Sequence, residues 1–302
     1  MLTNLIVGLD GSHFSWSAAR HAMQLAQTFG ATLHGVSVTD VKIFEGKLLE
    51  ELADAITVTA SPDGATAGTD SAGSKHADPA IIDVTRVQKL YHDKGQLLLE
   101  QLERDCKAAG VTYRAALATG MIPGVICATA KETNAELIIL GKRGVNAKWS
   151  GPLLGSTVEA VVRLAKRPVM LAQERHAPIE AAYVAYDGGL ISIRALRFAA
   201  ELCARSRWKM HVICVHRSPK RREKLLVEAA DMADLHSIQI QPIEKSGEPV
   251  EEILNATATD LSALIVLGAR SRRLLGLTLG SVSERIMRRA PQPVLLYRPL
   301  VE

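Results

Sequence analysis

Along the chain, short runs that are apolar at every position alternate with longer stretches that are apolar on one side only. The runs include "LIVGL", "ELIIL", "ALIVLG" and "PVLLY". Strands apolar on both faces must be covered from both sides, as in a parallel sheet between two layers of helix. The stretches between them have helical spacing. From Ser192 to Ala204, for example, Ile193, Leu196, Ala200 and Leu202 recur on one face. The order strand, helix, strand, helix, strand, helix, strand, helix, strand then occurs twice.

The repeat extends to individual residues. When "NLIVGLDGSHFSWSAARHAMQLAQTFGATLHGVSV" is laid on "AYVAYDGGLISIRALRFAAELCARSRWKMHVICV", Asp10 falls on Asp187, His34 on His211 and Val38 on Val215, each 177 positions on. Further along, Gly120 meets Gly247 and Gly141 meets Gly268, now 127 positions on. The first copy therefore carries an insertion of 50 residues between Val38 and Val111. With right-handed crossovers the pattern predicts an α/β fold, two doubly wound five-stranded parallel sheets flanked by helices. The expected domains are 1–175 and 180–302, with the insertion around 41–85. Within it, "TVTASPDGATAGTDSAGSKHADP" (Thr57 to Pro79) has no apolar periodicity and is expected to be a mobile surface loop. A lid over the first site is the other reading.

Composition narrows the function without choosing it. Hydrophobic content of 47% with 23% charged residues is that of a soluble globular protein. No run reaches the ~20 apolar residues of a membrane span. The opening "MLTNLIVGLDGS" lacks a basic leader and reads as a strand, so the cytoplasm is expected. Cys106, Cys127, Cys203 and Cys214 lie in apolar segments and read as buried thiols. Net charge +4 permits anionic ligands without requiring nucleic acid. The basic stretches "RSPKRREK" and "RIMRR" hold no interleaved aromatics, and aromatics make up only 4% of the chain. Solvated helix faces are expected there, not a specific nucleic-acid surface.

In a doubly wound sheet, ligands bind beyond the carboxyl ends of the strands. Asp10 and Asp187 end the first strands of the two copies. A carboxylate there can accept from a ribose hydroxyl or an adenine amino group, and it can equally cap the next helix. Gly141 and Gly268 end the fourth strands, where a missing side chain allows close backbone approach and positive φ. Gly155-Ser156-Thr157 and Gly280-Ser281-Val282-Ser283 then open the last helices. Free N–H groups and the helix dipole at such a start attract phosphate.

These residues carry a resemblance. "VGLDGS", "TLHGVSVTD", "GMIPGVICATAKETNAELIILGKRG" and "GSTVEAVVRLAKRPVML", with their second-half partners "SGEPVEEILNATATDLSALIVLGARS" and "GSVSERIMRRAPQPVLLYRP", resemble two universal stress protein domains in tandem. The resemblance implies five parallel strands per domain and pairing through the last strand, either internally or in a homodimer. It also implies an adenine nucleotide ligand, ATP or AMP, with Mg2+, a stress-response role and an unidentified protein partner. The ATP-binding members carry Gly, two residues, Gly, nine residues, Gly, then Ser or Thr. The first-strand Asp and a main-chain group at the end of the second strand hold the nucleoside. Matched by position, these are Asp10 with Val38 and Asp187 with Val215, followed by Gly141, Gly144, Gly155, Ser156 and Thr157, then Gly268, Ser271, Gly280, Ser281 and Val282.

The chain departs from that pattern. Ten residues precede Gly155, among them Trp149 and Pro152, and only eight precede Gly280. Ser271 stands where the second glycine would be, and a Cβ at positive φ would cost about 1 kcal/mol or more. Arg270, Arg272 and Arg273 could replace phosphate contacts through charge. A protein-interaction module without nucleotide is the alternative. No G-x-S-x-G or P-loop motif occurs, so dedicated catalysis is not indicated. Slow ATP hydrolysis would need only bound nucleotide, Mg2+ and water. His34 and His211, mid-strand at equivalent points, read as packing residues ahead of metal ligands.

Overall fold

Leu5 and Val7 face one layer of helices and Ile6 the other, and all three are fully buried. That period of two defines a strand covered on both sides. The computed structural model describes residues 2–41, 84–145, 154–269 and 280–298. The first half contains β1 (Asn4–Gly8), α1 (His13–Phe29), β2 (Thr32–Asp40), α2 (Val84–Ala108), β3 (Tyr113–Gly120), α3 (Ile122–Glu132), β4 (Leu137–Gly141), α4 (Ser156–Leu164) and β5 (Val169–Ala172). The second half repeats the order with β6 (Ala181–Ala185), α5 (Leu190–Ser206), β7 (Lys209–Val215), α6 (Pro219–Asp234), β8 (Ile240–Lys245), α7 (Pro249–Thr257), β9 (Ala263–Gly268), α8 (Ser281–Arg289) and β10 (Val294–Tyr297). The expected stretch Ser192 to Ala204 lies inside α5, with Leu196, Ala200 and Leu202 buried. The Thr57–Pro79 segment lies outside the described residues.

Strand order is β3-β2-β1-β4-β5-β10-β9-β6-β7-β8. Each half is the expected five-stranded parallel sheet. The two sheets are not separate, however. β5 and β10 pair antiparallel, Leu295 opposite Met170, and join them into one ten-stranded sheet. Both cores therefore run across both halves. One lies under α1, α2, α5 and α6, the other under α3, α4, α7 and α8. The expectation of a homodimer through the last strands is corrected here. β5 is hydrogen-bonded to β4 and β10, and β10 to β5 and β9, so neither retains an edge. The outer strands of the sheet are β3 and β8.

The seam between the halves is tied by charge as well as by strand pairing. The last helix of each half ends against its neighbour, and its terminal carbonyls need donors. Lys142 Nζ of the first half donates to Ala290 O at the end of α8, 2.9 Å away. In return, Arg298 Nη1 of the second half donates to Arg163 O and Ala165 O at the end of α4, both at 3.2 Å. A cation at a helix C-terminus also interacts favourably with the dipole. Gln173 Nε2 donates to Gln292 O at 2.6 Å, and the Arg288 guanidinium pairs with Glu159 across the seam. Lys142 is 5% exposed, and burial first, then Arg143, lowers its pKa from 10.5 to about 8.

Two outcomes follow for stability. Leu295→Ala opens a cavity at the join and should cost about 2–5 kcal/mol, read as a lower urea midpoint. Between about 8 and 10.5 the unfolded chain keeps the Lys142 proton that the folded chain releases, so this group makes stability rise with pH across that window. In Lys142→Met the rise should flatten, as measured by urea titrations through the window.

Candidate functional site

Strand order reverses between β1 and β4 in the first half and between β6 and β9 in the second, which fixes where a cleft can form. Asp10 lies just beyond β1. Its Oδ1 accepts from Ser12 N at 2.9 Å and its Oδ2 from Val145 N at 3.1 Å. The carboxylate thus links the turn after β1 to the loop after β4, and each oxygen keeps a second lone-pair direction. Asp187 occupies the matching position, where its Oδ1 accepts from Gly189 N at 2.8 Å and Ser192 Oγ at 2.6 Å. Neither aspartate is the helix cap. That position belongs to Ser12, whose hydroxyl accepts from Ser15 N, and to Gly189.

The motif glycines have different reasons for being glycine. A Cβ on Gly141 would lie 2.6 Å from the carbonyl carbon of Phe14 and 2.8 Å from Ser15 N, in the backbone of α1. Gly268 is similarly close to α5, 3.1 Å from Ser192 N. Neither has positive φ. The positive φ expected of these two is corrected: the missing side chain at each admits a neighbouring helix. Gly144 also lacks positive φ, and a Cβ there would stand 2.8 Å from Asp10 Oδ2. Its smallness is what lets the loop close on the carboxylate.

Gly155 returns to the same place. Its N–H donates to Lys142 O at 3.2 Å, and a Cβ on it would be 3.8 Å from Gly144 N. Gly155 is the N-cap of α4 and Gly280 that of α8, and neither makes a side-chain capping bond. The first-turn amides at Ser156 and Thr157, and at Ser281 and Val282, therefore have no cap from their own N-cap residue. Ser156 and Ser281 are exposed. Ser271, Arg270, Arg272, Arg273, Trp149 and Pro152 lie outside the described residues.

Val38 and Val215 complete the rim. Leu9 N donates to Val36 O, and Tyr186 N to Ile213 O. Backbone groups alternate sides along a strand, so two residues later those of Val38 and Val215 point to the same side. The register of β1 ends at Gly8 opposite Val36, and that of β6 at Ala185 opposite Ile213, so both valines face the gap beyond the shorter strand. In the first half the Asp10 carboxylate and the Gly155 turn at the start of α4 thus meet around Gly144, whereas in the second the contacts of Asp187 run to Gly189 and Ser192 at the start of α5.

Other titratable groups read as structural. His34 Nε2 contacts Asn4 Oδ1 at 3.1 Å, while His211 stacks on Tyr183 with centroids 4.2 Å apart. Burial is the main cause lowering both imidazole pKa values. It pushes the Cys106 thiol up to about 11 and that of Cys203 to about 12, which suppresses the reactive thiolate. Sequence reasoning missed the seam residues Lys142, Gln173 and Arg298. Lys142 filled a spacer position between two glycines, and only the lack of matching cations at Ala269 and Gln173 hinted at a special use.

Fold and clefts define a Rossmann-like α/β protein made of two copies of one unit. A family model described as the universal stress protein family matches residues 1–173 and again 180–298, and the chain belongs to that family. Universal stress protein Slr1230 of Synechocystis sp. is 22% identical over 302 residues, 98% of this chain and 100% of that one. A crystal structure of a universal stress protein from Archaeoglobus fulgidus superposes with a TM-score of 0.73 at 19% identity, covering 98% of both chains. A functionally unknown protein from Pseudomonas aeruginosa PAO1 gives 0.63 at 15% identity, over 99% of this chain and 93% of that one. At such identities the structures share the fold. Among the described residues no helix is long and apolar enough to cross a membrane.

The two kinds of glycine should respond differently to alanine. Gly141→Ala forces a Cβ into backbone and should destabilise by about 1–3 kcal/mol. Gly144→Ala meets only a movable carboxylate, so the denaturation midpoint should change little. Loss of the Asp10–Val145 hydrogen bond should instead show as faster amide exchange at Val145.

Proposed function

We propose that the chain is a cytoplasmic stress-response protein of two domains, 1–175 and 180–302, that binds adenine nucleotide, ATP or AMP, and acts through regulatory changes in shape or partner affinity. The reading rests on one observation, the convergence of Asp10, Gly144 and Gly155 at the mouth of an uncapped helix. The nucleoside would sit between Asp10 and the main chain of Val38, with Ser156 and Thr157 presenting amides to the phosphates. Among the described residues no group of three or more His, Cys, Asp or Glu stands together. Mg2+ would accordingly be held by phosphate oxygens and water more than by protein ligands. The second cleft would use Asp187, Val215, Gly280, Ser281 and Val282 in the same roles.

One feature favours the second reading, a protein-interaction module that takes no nucleotide. Val145 N already occupies Asp10 Oδ2, so the first loop is closed on its own carboxylate. Nucleotide binding would have to use the lone-pair directions that remain on the carboxylate or displace Val145 N.

Mass spectrometry of ligand released from the purified protein, with an ATP–Mg2+ titration, separates the two. Binding is expected, and Asp10→Ala should weaken it about tenfold or more, as for loss of a hydrogen bond to a charged group. Asp187→Ala reports on the second cleft in the same way. Absence of both released nucleotide and a thermal shift in millimolar ATP would leave the interaction module as the function.

A further inference from the structure

A cavity of about 600 Å3 opens on the seam, and neither Asp10 nor Val38 is among the residues lining it. Lys142, Arg143 and Gln173 of the first half line it, with Arg288, Arg289, Ala290 and Pro291 of the second. That volume is within the ordinary range for a small-molecule site. Among the described residues lining it there are four cationic side chains and no carboxylate.

The four cations are not equally satisfied. Arg288 pairs with Glu159 and Glu284, and Arg289 is bidentate to Glu251. Lys142, nearly inaccessible to solvent, has the neutral Ala290 carbonyl as its partner. An ammonium has three protons to donate, and this contact accounts for one. Arg143 has a buried Nε without a hydrogen-bond partner and lies 6.0 Å from the centre of the Phe14 ring. Neither Lys142 nor Arg143 forms an ion pair among the described residues. A buried ammonium without a counter-charge, next to a half-buried guanidinium, is costly unless something negative joins it.

We propose that the seam cavity is a second ligand site, separate from the clefts, that takes an oligophosphate group. Lys142 and Arg143 supply the uncompensated charge. Arg289, paired with Glu251, adds positive charge at the wall from the other half, and Gln173 a neutral polar group. A chain of phosphates suits this arrangement better than a single carboxylate because the donors are spread across both halves. A ligand there would contact the two halves at once and bear on how they are held together.

A free oligophosphate has to be told apart from the tail of a nucleotide anchored in the first cleft, since Lys142 and Arg143 lie between Gly141 and Gly144. Calorimetric titration of the full chain with inorganic tripolyphosphate, alone and after saturation with ATP, distinguishes these sources. The expected result is one tripolyphosphate bound in the presence of ATP. Lys142→Met should weaken it about tenfold, the loss expected for one charge-assisted hydrogen bond. Arg289→Gln should weaken it severalfold while ATP affinity is retained. Arg289 is half exposed on α8, so this variant carries the test even if Lys142→Met fails to fold. No binding of tripolyphosphate, or binding unchanged in Arg289→Gln, overturns the proposal. So does full displacement by ATP together with weaker ATP binding in Arg289→Gln, because the cavity would then be an arm of the cleft.

Discussion

Everything in this molecule hangs on one antiparallel pairing, β5 against β10. It turns two parallel sheets into a single one and lets each core continue from one half into the other. Val169, Met170, Leu171, Val294, Leu295 and Leu296 meet there, all buried. Burying a large aliphatic side chain is worth roughly 1.5–3 kcal/mol, so the join is substantial even before its polar contacts. The polar contacts are needed for a different reason. Bringing two helices to the seam buries their last carbonyls, and Lys142 and Arg298 reach across to satisfy them.

The same constraint shapes the first cleft. The four residues from Gly141 to Gly144 serve two neighbours. The glycines face α1 and Asp10, whereas Lys142 crosses to the other half. Gly155 then closes the loop by donating to the carbonyl of that lysine. Cleft and seam therefore share a backbone segment, and the position of the last helix in the first half depends on both.

Much of the architecture was legible in the sequence because it follows from local spacing. Doubly apolar strands and helical stripes announced two parallel sheets, and the recurrence of Asp10 at Asp187 and Val38 at Val215 marked equivalent strand ends in the two halves. What was not legible depends on contacts between segments far apart in the chain. Nothing in "ELIILG" says that the glycine packs against Phe14 of α1. Nor does "GKRG" say that its lysine ends under Ala290, 148 residues away. Edge-to-edge fusion of the sheets was one of two expected pairings, since "PVMLAQ" and "PVLLYR" would suit pairing with another chain as well as with each other.

The reciprocal capping at the seam is symmetric in purpose but not in residue. Lys142 has Ala269 as its counterpart, and Arg298 has Gln173. A homodimer receives every substitution twice, so an added charge at its two-fold axis confronts its own duplicate. Covalent fusion lifts that restriction. One copy could gain a lysine and the other an arginine at different places, each tolerated because its twin position stayed neutral. Duplication thus freed the contact surface to diverge while the scaffold beneath it kept its original symmetry.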